Sequence, residues 1–124
     1  MRKIDSLDEL EIPGSYKAFI KLFLSNLSSL DSVARVILFG SYARGEVSGH
    51  ESDLDLFVLT ENEVSLDEEF YIMNECAPAY KNGQYIPSDI IVNSVQNYNR
   101  LKNVFGMVQK QVEREGMDLS GLLR

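Results

Sequence analysis

The sequence of 124 residues predicts an α+β fold, a small mixed β-sheet covered by helices. Three observations carry that reading. Apolar residues recur at helical spacing in separate stretches near both ends and in the middle of the chain. Between them lie three short runs dense in Val, Ile, Leu and Phe, the mark of buried strands. Helices and strands alternate, which places helices over a sheet rather than in a separate bundle. With 44% hydrophobic and 25% charged residues, the chain is expected to form one domain over residues 1–124.

The elements follow in order. Residues 1–13 are polar and close on Pro13, so an N-terminal arm or a short helix is expected there. From Ser15 to Leu30, Phe19, Ile20, Phe23, Leu24, Leu27 and Leu30 keep helical spacing. ARVILFG, Ala34 to Gly40, reads as a buried strand, and SYARG after it as a helical turn. Ser52 to Thr60 is the second strand. Ser65-Leu-Asp-Glu68 has the form of a capping box, opening a helix whose apolar face is Leu66, Phe70, Met73 and Ala77. Past Pro78 and the Asn82-Gly83 turn signal, QYIPSDIIV is the third strand, with Pro87 pointing to an edge or the strand's start. Ser94 to about Glu115 reads as one or two helices with Val104, Val108 and Val112 on one face, stopped by Gly116.

Charge narrows the partners. Nineteen acids against 12 bases give a net charge of −7, the wrong sign for a surface that grips nucleic-acid phosphates. Arg100 and Lys102, the nearest approach to a basic cluster, suit a solvated helix face. No apolar run approaches the roughly 20 residues of a membrane helix. The start, MRKIDSLDELEIPGS, carries acids where a signal peptide needs an apolar block. With a lone cysteine, Cys76, that suits a small core residue, the expected setting is the cytoplasm.

SDLDLFV, Ser52 to Val58, raises the chemical question. Leu54, Leu56 and Val58 share one face of a strand, while Asp53 and Asp55 share the other. Like charges on one face repel, and Asp is a poor strand former. A third acid, Asp89, opens the third strand, and Gly40-Ser41 closes the first. If these strands are neighbours, three carboxylates and a glycine-serine turn meet at one edge of the sheet. Such carboxylates need a counter-ion, and Mg²⁺ or Mn²⁺ is the hard cation that takes oxygen ligands. Gly40 lets phosphate oxygens approach the backbone, Ser41 offers a hydroxyl, and Arg44 offers a charged fork, or else a surface ion pair. Asp89 is placed to act as general base or to orient an attacking hydroxyl. His50, in a polar loop, reads as solvated, and Tyr42 as packed against the sheet.

GSYARG…SDLDLFV resembles the GS-x-ARG…SD-x-DL signature of the DNA polymerase β-like nucleotidyltransferases, and the chain is similar to their minimal, single-domain (MNT) branch. The likeness runs from the leading helix to the Arg114-Glu115-Gly116 ending. It implies that Asp53, Asp55 and Asp89 hold the metals, and that Gly40 and Ser41, with Arg44, hold a nucleoside triphosphate. Eleven residues separate Ser41 from Asp53, one more than the family pattern leads one to expect, so EVSGHE forms a longer connector. The resemblance further implies transfer of AMP from ATP to a hydroxyl, such as a tyrosine of a HEPN-type toxin, with this chain as antitoxin. The short stretch after Asp89 leaves no second domain for the acceptor, so another chain or a second copy of this one is expected to present it. Two other functions fit the same residues: a non-catalytic antitoxin that keeps a nucleotide and metal site, and a small-molecule nucleotidyltransferase of the antibiotic-modifying type.

Overall fold

A computed structural model describes residues 1–46, 52–77, 80–81 and 84–123. His50 and most of the EVSGHE connector, Pro78 and the Asn82-Gly83 turn signal lie outside the described residues. In chain order the elements are β1 (Arg2–Lys3), α1 (Gly14–Leu27), β2 (Val33–Phe39), α2 (Ser41–Arg44), β3 (Leu54–Thr60) and α3 (Leu66–Phe70). They continue with β4 (Tyr80–Lys81), β5 (Gln84–Tyr85), β6 (Ser88–Ser94), α4 (Val95–Leu101), α5 (Val108–Glu115) and β7 (Met117–Asp118).

Five strands form one mixed sheet in the order β1-β7-β2-β3-β6, while β4 and β5 pair apart as a small hairpin. β2 runs antiparallel to β3 and β7, β3 runs parallel to β6, and β1 runs parallel to β7. The three strands expected from the sequence are thus neighbours. β6 is an edge strand, which admits Pro87 just before it: its carbonyl accepts from Leu54 N–H.

Both faces of the sheet are covered. Val36, Leu38, Leu54, Leu56, Val58 and Ile90 face a core that Phe19, Ile20, Phe23, Leu24 and Leu27 of α1 complete. Ile37, Phe39, Phe57 and Leu59 face a second core closed by Tyr98 of α4 and Val112 of α5. β3 therefore alternates faces as expected, but its odd positions turn from acid to core after Asp55. That second core ends just short of the carboxylates.

Three expectations are refined or corrected. First, residues 1–13 hold a short helix, one of the two expected forms, as a 3-10 turn at Leu7–Glu9, and they also pack onto the molecule: β1 extends the sheet, and Ile4 and Leu10 are buried. Ser6 and Glu9 close that turn with a reciprocal capping box. Second, of the expected Leu66, Phe70, Met73 and Ala77 face only Ala77 is buried; Leu66 is 83% and Phe70 63% exposed, and Ile72 and Cys76 are buried in their place. Ser65 caps the helix by accepting from Glu68 N–H, but Glu68 turns its carboxylate to the Ser32 hydroxyl. Third, Val104 lies in the turn between α4 and α5 and is exposed, whereas Val112 is fully buried. Gly116 does stop α5, in an extended conformation. β7, which follows at once, had no signal in the sequence.

Candidate active site

β2, β3 and β6 bring the acids together because all three strands place the relevant positions at one end of the sheet. Phe39 is opposite Asp55 across the antiparallel pair, so Gly40 leaves β2 beside that carboxylate. Asp55 is opposite Asp89 across the parallel pair, one strand spacing of about 4.8 Å away. Asp53 lies just before β3, exposed, and its charge is felt at Asp55.

Gly40 is required twice over. Its backbone, at φ 79 and ψ −157, lies in a region essentially confined to glycine. A Cβ there would lie 2.1 Å from Asp55 Oδ2. The Asp55 carboxylate thus packs directly over the Cα of Gly40. The turn continues as α2, where Gly40 C=O accepts from Arg44 N–H. Among the described residues the Ser41 hydroxyl makes no hydrogen bond. Tyr42 turns away into the core, its ring edge-on to Tyr16 with centroids 5.3 Å apart.

Electrostatically, the site is an acid cluster short of positive charge. Burial, then Asp89, then Asp53 push the Asp55 carboxyl up to about 6; Arg44 opposes the shift and Glu115 adds to it. Among the described residues, Asp53, Asp55 and Asp89 take part in no ion pair. The nearby cation, Arg44, is engaged elsewhere, with Nε 2.6 Å from Glu46 Oε1 and Nη1 2.7 Å from Glu115 Oε2. Arg44 thus forms an ion pair, one of the two roles expected of it.

Glu115 is the site residue that sequence reasoning did not single out. Its side chain is 9% exposed, and among the described residues its Oε1 is buried without a hydrogen-bond partner. The Arg-Glu-Gly ending was visible, but nothing local ties it to an arginine 71 positions earlier.

The donor set fits a hard divalent cation: carboxylate oxygens with no ion pair among the described residues, the partly buried Asp55 lying beside Asp89. Among the described residues no group of three or more Asp, Glu, His or Cys side chains is disposed to hold a metal ion.

A family model described as "Nucleotidyltransferase domain" matches residues 20–117. The chain belongs to the nucleotidyltransferase family. A Methanocaldococcus jannaschii protein named "Putative protein adenylyltransferase MJ0141" is 32% identical to this nucleotidyltransferase over 102 residues, covering 81% of this chain and 94% of that one. A solved structure of a "putative nucleotidyltransferase" from Sulfolobus solfataricus is 20% identical, with a TM-score of 0.44, covering 75% of this chain and 85% of that one. The matched span takes in β2, α2, β3, β6 and α5, and so every site residue described above. Among the described residues no helix of this nucleotidyltransferase is long and apolar enough to cross a membrane.

Proposed function

We propose that this nucleotidyltransferase transfers a nucleoside monophosphate, AMP from ATP, to a hydroxyl of a protein acceptor in the cytoplasm. The observation that carries the proposal is the pairing of Asp55 with Asp89 beside Gly40, with no ion pair to either carboxylate among the described residues. The relative named as a protein adenylyltransferase supports the choice of acceptor class.

In this reading Asp53, Asp55 and Asp89 hold Mg²⁺ or Mn²⁺. When bound, the cation neutralises charge on the triphosphate and on the leaving pyrophosphate. Gly40 leaves room for phosphate oxygens against the backbone, and the Ser41 hydroxyl donates to one of them. Arg44 adds fixed positive charge to the polyphosphate. Asp89, exposed on the edge strand, orients the acceptor hydroxyl and takes its proton. The new bond joins the acceptor oxygen to the α-phosphorus, and the bond from that phosphorus to the bridging oxygen of pyrophosphate breaks.

A tyrosine of a HEPN-type toxin is the acceptor we favour, on the resemblance to the MNT branch, which makes this chain the antitoxin. The test is intact-mass analysis of such a partner co-expressed with wild type and with Asp53→Asn/Asp55→Asn. A gain of one nucleoside monophosphate with wild type alone is expected. An unmodified partner under every nucleotide and metal condition would sink protein modification. Neutralisation that survives the double substitution would remove catalysis from the antitoxin role.

A further inference from the structure

We propose that Glu115 is a positioning residue for nucleotide binding: it holds the Arg44 guanidinium so that the arginine meets polyphosphate instead of folding onto the catalytic carboxylates. This deepens the reading of the site as a nucleotide site and rests on it. Arg44 ends a helix of only four residues and is followed by Gly45 in the left-handed conformation (φ 69), so its backbone restrains it little. Its attraction to Asp55 is already felt. Closure onto that carboxylate would put a fixed cation where metal and phosphate must go.

Two acids oppose the closure, and they are unequal. Glu46 is 61% exposed, so its pair with Arg44 is screened by water and contributes little. Glu115 is 9% exposed and takes Nη1 at 2.7 Å. Its place is set by packing, because Gly116 brings the end of α5 against β2: a Cβ on Gly116 would lie 2.6 Å from Ile37 Cγ2 and 2.5 Å from the Val112 carbonyl oxygen. With Nε and Nη1 held, Nη2 makes no hydrogen bond among the described residues and is left for an anion. The buried Oε1 of Glu115 has no hydrogen bond among the described residues, which is costly for a carboxylate that served only to fill space.

The test is calorimetric titration of α,β-methylene ATP with Mg²⁺ into wild type, Arg44→Ala, Glu115→Ala, Glu115→Gln and the double alanine variant. Arg44→Ala and Glu115→Ala are each expected to weaken binding about tenfold, with the double variant no weaker than either single one. Glu115→Gln, which keeps the acceptor oxygen and the volume, is expected to recover part of the loss. In transfer assays KM rises while kcat stays nearly level. Wild-type affinity in Glu115→Ala, or losses that multiply in the double variant, would overturn the proposal. Melting without ligand separates a folding defect, and if Glu115→Ala does not fold, Glu115→Gln with its own double variant decides by the same criteria. A wild type that binds no nucleotide would overturn the reading of the site, and this inference with it.

Discussion

At Asp55 the fold holds a carboxyl that burial, Asp89 and Asp53 push up to about 6, against about 3.9 in an unfolded chain. Between those values the native state binds more protons than the unfolded one, so stability falls as pH rises from about 4 through 6. In chelator-treated protein, Asp55→Asn is therefore expected to melt above wild type at pH 8 and together with it below pH 4. Thermal melts at pH 4, 6 and 8 check this, and a lower melting point at pH 8 would contradict it. The same substitution is expected to abolish nucleotidyl transfer by several orders of magnitude, because it removes a charge that no neighbouring group replaces. Gly40→Ala loses on both counts: backbone strain of about 1–3 kcal/mol, and a methyl group placed on the Asp55 carboxylate. Urea unfolding and transfer assays should show both losses together.

Among the elements, α3 best separates local pattern from packing. Leu66, Phe70 and Met73 are spaced as one helical face, and so is the set that is buried, Ile72 and Cys76. Periodicity alone cannot choose between two such stripes. The choice is made by what the chain brings opposite: Ile72 and Cys76 join the core shared by α1 and the sheet, in a stretch where Tyr71–Glu75 forms a π-helical turn. Leu66→Ala should change stability by no more than about 0.5 kcal/mol, while Ile72→Ala should lower it by about 2–5 kcal/mol. Equal effects in urea melts would mean that the buried face is wrongly assigned. The second core shows the same logic in reverse. Tyr98 donates to Glu113, tying α4 to α5, and Val112 is fully buried beside it, contacts between helices that no single helical pattern announces.

For the whole molecule, the sheet order decides where function sits. The chain folds acids from two parallel strands against a glycine turn from the strand between β7 and β3, and the ends of the chain close the far edge as β1 and β7. Folding thus accumulates uncompensated negative charge at one end of the sheet, and a ligand that neutralises it must favour the native state. Mg²⁺ with ATP at a hundred times its dissociation constant should stabilise the protein by about 2.7 kcal/mol through mass action. Scanning calorimetry with nucleotide alone, Mg²⁺ alone and both should show the largest rise in Tm for the combination. The shift should vanish in Asp53→Asn/Asp55→Asn.

Much of this was legible in the residues themselves. The fold class, the three long strands, α1 and the convergence of Gly40, Asp55 and Asp89 follow from period, turn chemistry and motif, because those signals are local and each is spent within a few residues. Tertiary structure alone decided the rest: that residues 1–13 dock through Ile4 and Leu10, that Leu66 faces water, that β7 joins the sheet, and that Arg44 is clamped by Glu115. In each case the deciding contact joins residues far apart in sequence. Which of two plausible faces is buried, or which acid meets an arginine, is fixed by what the rest of the chain brings opposite, and local spacing holds no record of it.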